Sequence, residues 1–482
     1  MGPSEPRSVR LVGFLWVTGM VVTGIVLLDN LHATPGPTRL LEWINLSLGI
    51  LVVLLATLDG FRPIMAVHGV FSLCWLGIAP VVQIELRQSA WQDWSTVGDF
   101  AQVNQALLLG CAMSVALLVG VFLGDRRSER SNAKRARDAS GTHLSLPVVG
   151  ACAVALLLLT PIVVGMQGGL GSLFIDRNAR AEVLSGASLD NSGDSGVGNG
   201  LAVLLPGSMA VALGHLTIRA WHQRSTSGGR GRVVLLASGL ISLMGLVLFN
   251  NPLSNTRFIA AIGLGSIVVA LAAPRRRVAG RFMGLLLMVT VLFIYPLGNI
   301  IGGRDSTMPG MAGALTGADF DGFQQVINTL LQVRLHGHGN GLHVASALFF
   351  FVPRSIWVEK AKPATFEVAQ AAGYSFQNLS LPFHAELYMD FGVLGMVLLG
   401  VAYGYWMGYF DNAWLTRPRA DAALLVPLAA LAQLAVIRGP LGSLTPVYLT
   451  PLVLIGVALP LSRLFASNGT WVQKYRHRRA KL

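Results

Sequence analysis

The sequence predicts an all-α polytopic membrane protein, and three observations carry that prediction. Apolar runs close to the roughly 20 residues needed to span a bilayer recur along the whole chain. Of its 482 residues 53% are hydrophobic and 12% charged, and the mean hydropathy is +0.60. The three cysteines, Cys74, Cys111 and Cys152, all fall inside apolar runs, which argues against a disulfide framework or a thiolate metal site.

Spans are expected at 11–28, 43–58, 64–82, 104–124, 146–164, 200–220, 233–249, 257–273, 282–301, 384–409, 422–440 and 446–465. That makes about twelve transmembrane helices in one integral membrane domain, 1–482. The first run is too long for a signal-peptide core and lacks a small-residue cleavage pattern, so it reads as a retained helix. The net charge is +13. Its basic excess falls in the loops on the side of the termini, including 125–145 and the tail 466–482, whereas the opposite loops are net acidic. The positive-inside rule therefore places both termini of a multi-pass protein in the cytoplasm, and leaves nucleic acid no claim on the charge. The basic linker 125–145 suits anionic lipid headgroups.

On the external side, Trp91 and Trp94 suit interface anchors. Loop 165–199 opens on a glycine-rich turn and continues as LFIDRNARAEVL, which presents Arg177 and Arg180; Asp176 and Arg180 are helical neighbours and suit either an ion pair or a site for a lipid-linked anion. NNPLSNTRF puts Arg257 at the outer mouth of a span, where the charge rule does not want an arginine. Arg304 follows the ninth span. The chain then stays external over 302–383, a length usually reserved for functional loops. Within it, DFDGFQQVINTLLQVR has an amphipathic helical pattern, and the apolar stretch 342–352 is too short to span and reads as re-entrant or interfacial. HGHGNGLH has a spacing that can ligate zinc, but no acidic or cysteine ligand adjoins it, so no metal is expected.

PRSIWVEKAKP, residues 353–363, gathers Arg354, Lys360 and Lys362 around Trp357 between two prolines. An arginine fork matches phosphate oxygens, and an aromatic ring suits a sugar face or a prenyl chain. HAELYMDFGVLG then opens a span with His384, Glu386, Tyr388 and Asp390, the two carboxylates at i and i+4. Ionisable groups entering a bilayer need partners, and Arg257, Arg304, Arg354 and Arg438 of VIRGPLGS are the nearest candidates.

FFVPRSIWVEKAKP followed by HAELYMDFGVLGMVLLG, with an Arg-Gly in the next span, resembles the bacterial oligosaccharide repeat-unit polymerases, the Wzy-type O-antigen and exopolysaccharide polymerases. The resemblance is local, covering 350–400. Val358 stands where the family has proline, and the Lys-Pro pair is split between Lys360 and Lys362-Pro363. It implies a glycosyltransferase C-like fold, a place in the bacterial cytoplasmic (inner) membrane, and transfer, at its external face, of a glycan from a polyprenyl-pyrophosphate carrier onto another carrier-linked repeat unit. No cofactor is implied; a chain-length regulator and a flippase are implied as partners. Glu386, or else His384, is then expected as base. Arg177, Arg180, Arg257, Arg304, Arg354, Arg438, Lys360, Asp390, Trp357 and Tyr388 are expected as pyrophosphate or sugar ligands. The competing readings are a glycan ligase, which needs a second acceptor, and a secondary transporter, against which the charges sit at span ends and no internal repeat is visible.

Overall fold

The computed structural model describes residues 34–57, 60–91, 100–135, 144–175, 180, 196–223, 229–272, 311–417 and 421–479. Among them eight helices are long and apolar enough to cross a membrane, which makes the chain an all-helical multi-pass membrane protein. They are α1 (Gly36–Thr57), α2 (Pro63–Leu86), α3 (Phe100–Arg135), α4 (Leu146–Met166), α6 (Gly229–Phe249), α11 (Phe383–Thr416), α12 (Asp421–Arg438) and α13 (Leu441–Arg479). Two further helices lie on expected spans: α5 (Gly196–Gln223) and α7 (Arg257–Ala272), the latter only 16 residues long. The expected spans 11–28 and 282–301 lie outside the described residues, so the count of twelve remains an expectation.

Burial orders the bundle. Over their most apolar stretches α2 and α12 are 83% and 78% buried, against 28–50% for the other six, so these two form the inner pair and the rest present a face to lipid. A polar contact joins the pair: Gln433 of α12 donates its amide to Ala429 O at 3.1 Å, so its oxygen accepts from His68 Nδ1 at 3.0 Å and from the Tyr403 hydroxyl at 2.8 Å. The start of α2 is capped from a distance by Asp411 of α11, whose two oxygens accept the Ile64 and Met65 N–H groups at 3.1 and 2.9 Å. These are orphan donors of a helix start, and a buried carboxylate there satisfies them and suits the dipole.

α3 and α11 approach backbone to backbone. Gly120 and Gly124 on one helix meet the backbone of 401–409 on the other, and Gly404 and Gly408 meet the backbone of Leu117 and Val121, each pair four apart, the small-residue spacing that lets membrane helices pack without side chains between them; Gly400, one step further, packs on the Met113 and Ala116 side chains. α11 itself is broken at Gly392 (φ 67, ψ −171). The break frees carbonyls of the upper segment, and the turn 336–343 satisfies one of them: Gly339 N–H donates to Met389 O at 3.0 Å and His338 Nδ1 lies 3.3 Å from it. A side chain at 392 would be strained at that φ and would meet the His338 ring 3.4 Å away.

Segment 311–382 covers this end of the bundle with α8 (Gly322–His336), α9 (Leu342–Leu348) and α10 (Thr365–Ala371). The amphipathic pattern foreseen for α8 holds on one face, where Phe323, Val326, Ile327 and Leu330 are buried. Its other face is buried as well, because Gln324, Gln325, Asn328, Thr329 and Gln332 bond to one another, to Tyr374 and to Glu367. α2 reaches up to this segment through a π-turn at Leu73–Ile78, which aims Trp75 between Phe71 and Phe320 and lets its indole N–H donate to Asp319 O at 2.6 Å.

Candidate functional site

The start of α11, the end of α12 and the start of α13 are tied together by two bonds. Leu381 N–H donates to Arg438 O at 2.8 Å, and Leu441 N–H, at the start of α13, donates to Glu386 Oε2 at 2.8 Å. Gly439 and Pro440 make the sharp turn between the two helices and leave that N–H pointing at the carboxylate. Glu386 is fully buried, and no protein group hydrogen-bonds its other oxygen, Oε1. An acceptor-only oxygen buried without a donor is costly, so the site holds a carboxylate ready for a hydrogen-bonding ligand.

Glu386 borders a cavity of about 290 Å³ whose other walls include His343 and Ser346 of α9, Arg354 and Lys362 of the following loop, and Ser443 of α13. That volume is just below the ~300–1,000 Å³ typical of ligand pockets. Arg354 is oriented by the loop it belongs to: its guanidinium donates to Lys360 O and, at 3.0 Å, to Ala361 O, which leaves further N–H groups on the same fork. Among the described residues no carboxylate lies within salt-bridge distance of Arg354 or Lys362. The cavity thus sets two uncompensated cations beside a buried carboxylate.

The other residues singled out from the sequence take different places. Lys360 is buried and spends its three ammonium protons on Phe349 O (3.2 Å), Phe350 O (2.7 Å) and Val352 O (2.8 Å); burial and then the neighbouring Arg354 lower its pKa. It staples the loop together and has no proton left for a ligand. His384 lies two residues from Glu386 and so on the far side of α11; it borders a separate cavity of about 30 Å³ with Asn45, His68, Ser72 and Ser114. Asp390 holds α9, accepting His343 Nδ1 at 2.7 Å and Val344 N–H at 2.8 Å. Tyr388 is half-buried and packs edge-on against His338 at 5.5 Å. Trp357 is half-buried in the 353–360 turn.

Arg438 donates to Ser380 Oγ and to Asp319 Oδ1, both at 3.2 Å, and stacks over Phe258 at 4.8 Å. Arg257, half-buried at the first position of α7, is engaged with neighbours. Arg180 is buried against the turn after α6, donating to Ser254 and Asn255 and to Gln167 Oε1 at 2.5 Å; burial lowers its pKa. Neither Arg438, Arg257 nor Arg180 borders the 290 Å³ cavity. Arg177 and Arg304 lie outside the described residues.

His343 joins the cavity although the sequence offered it only as part of a glycine-rich histidine turn. Its Nδ1 faces Asp390 and its Nε2 faces Glu367 Oε1 at 3.1 Å. Burial works against a charge on this ring, but the hydrogen bonds to Asp390 and Glu367 outweigh it and push the pKa up to about 10. The same bond with His343 holds the Glu367 carboxyl below its usual range. The three histidines of the turn diverge, His336 to Gln332, His338 to Met389 O and His343 to its two carboxylates. Among the described residues no group of three or more His, Cys, Asp or Glu is placed to hold a metal. No protein-family model, curated protein or solved structure matches the chain.

Proposed function

We propose that the protein polymerises polyprenyl-pyrophosphate-linked oligosaccharide repeat units, working at the external face of a bacterial inner membrane. The observation that carries the reading is the cavity lined together by Glu386, with one oxygen unengaged, and by Arg354 and Lys362, for which no carboxylate partner is found among the described residues. In this reading the acceptor hydroxyl gives its proton to Glu386 Oε1 as its oxygen attacks the anomeric carbon of the donor glycan. The bond from that carbon to the prenyl pyrophosphate breaks on the opposite face, inverting the configuration, and Arg354 and Lys362 take up the negative charge that grows on the leaving group. Burial keeps bulk water away from the carboxylate, which favours transfer to a sugar over hydrolysis.

The test is an assay of purified, folded protein with lipid-linked repeat units alone. Wild type is expected to form a ladder of products, and Glu386→Gln and Arg354→Ala to lose it. Normal ladders from both variants would end the proposal. Product formed only when a second kind of acceptor is added would assign a ligase instead.

A further inference from the structure

His343 sits between two carboxylates that are held very differently. Asp390 is fully buried, binds the imidazole at 2.7 Å and is locked by a second bond to Val344 N–H. Glu367 is 46% exposed on the seven-residue α10 and binds at the longer 3.1 Å; its other oxygen takes only the Gln332 amide at 3.2 Å. With an acceptor facing each ring nitrogen, both must carry protons, so the ring is an imidazolium. One of its N–H groups belongs to a fixed partner. The other is held by a partner that solvent can hydrate as well as His343 can.

The ring borders the same cavity as Arg354 and Lys362, which have no carboxylate partner among the described residues. A charged N–H donor at a cavity wall, loosely held by a surface carboxylate, sits beside two cations that want an anion. We propose that Glu367 is a placeholder: on His343 Nε2–H it occupies the position that a phosphate oxygen takes when a ligand fills the cavity, so ligand binding frees the α10 carboxylate. This rests on the reading of the cavity as a pyrophosphate site. It makes His343 a third ligand-binding cation and Asp390 the positioning residue that keeps it charged. Glu386 on α11 and Arg354, Lys360 and Lys362 on the loop line the cavity with the ring, and His336 at the end of α8 acts on Glu367, so the exchange is between one surface carboxylate and one phosphate oxygen in a cation-rich site.

The experiment measures binding of inorganic pyrophosphate and of geranyl pyrophosphate to the full-length protein in phosphatidylcholine nanodiscs by calorimetry. Wild type is expected to bind both, and Arg354→Ala to bind weakly. Glu367→Gln and Glu367→Ala, which remove a competitor from an exposed position, are expected to bind about tenfold tighter. His343→Gln is expected to bind tenfold or more weaker, as befits loss of a charged hydrogen bond. Asp390→Asn gives a readout that a structural role does not move: relative to wild type, its affinity falls between pH 7 and 9, where the wild-type ring is still charged. Repeating the wild-type titration with phosphatidylglycerol in the disc separates sources: suppressed binding marks the lipid headgroup as the displacing anion, and unchanged binding marks the diphosphate. If Glu367→Gln and Glu367→Ala bind no tighter while Arg354→Ala still binds weakly, the placeholder is refuted and the cavity reading stands. If wild type binds neither probe, or Arg354→Ala binds as well as wild type, the cavity reading fails and the placeholder with it.

Discussion

Gly404→Ala tests the contact that sets the height of α11, and with it the position of Glu386. A Cβ at 404 would lie 2.8 Å from the carbonyl carbon and 2.9 Å from the Cα of Leu117, and closer still to the Leu117 oxygen. Ordinary contacts to a Cβ begin near 3.4 Å, and every atom it meets is backbone, so no side-chain rotation relieves the overlap. The helices must separate by more than half an ångström, and the contacts of Gly120, Gly124, Gly400 and Gly408 along the same seam stretch with them. Inserting a methylene into a tight core typically costs about 1–3 kcal/mol, and a backbone-to-backbone seam belongs at the upper end. Gly456→Ala in α13 is the control, because nothing lies within 4 Å of its Cβ; replacing a helix glycine there stabilises by roughly 0.5–1 kcal/mol. Thermal melting of the purified proteins in one detergent reads both. Gly404→Ala is expected to melt several degrees below wild type and Gly456→Ala at or above it. Equal melting of Gly404→Ala and wild type would show that the two helices do not pack through their glycines.

Four further outcomes follow from particular contacts. Asp411→Asn keeps one acceptor for the α2 start and loses the other, and is expected to cost about 1–2 kcal/mol in the same melting assay, with Asp411→Ala costing more. Lys360→Met releases three carbonyls, so limited proteolysis is expected to cut within 349–363 faster than in wild type while the helices stay intact. The His343 pKa is raised from 6.5 to about 10, so the stability it contributes is complete below pH 6.5 and is lost as pH rises through 10; wild type is expected to melt progressively lower over that interval, and His343→Gln to lack that limb of the profile. Ile356 and Val358 are 77% and 80% exposed at the tip of the cavity loop, beside exposed Phe349 and Phe351. A water-facing loop does not sustain such a patch, so an environment-sensitive dye on Val358→Cys in a Cys152→Ala background is expected to be quenched by spin-labelled lipid in nanodiscs.

The helices were legible because lipid imposes a simple demand: every backbone group bonded within its own segment, and an apolar surface about 20 residues long. That demand put an expected span on each of the eight long helices, although α1 starts seven residues earlier than expected and α3 and α13 run 11 and 14 residues further. It does not settle which helices are central: α2 and α12 are less apolar than α4 and α6, but so is α11, which is only 39% buried. The glycine seam was legible in principle, since Gly400, Gly404 and Gly408 are four apart, but the spacing names no partner until Gly120 and Gly124 are seen opposite.

The site was legible at Glu386 and Arg354 because misplaced charge is conspicuous in a sequence this apolar. The same criterion also drew in residues whose charge serves the fold. Asp390 shares a helical face with Glu386, yet Asp390 is consumed in holding His343 and α9, while Glu386 keeps an oxygen unengaged. Lys360 and Lys362 differ by two positions in one turn; the first is saturated by carbonyls and the second remains at the cavity edge. What separates members of these pairs is the count of partners around each charge, a property of the folded chain alone. By that count His343, read first as one of three loop histidines, becomes the cation of the cavity that is held between two carboxylates. Its charge is fixed by a buried aspartate 47 positions away, two residues before the break in α11 that the turn carrying His343 helps to close.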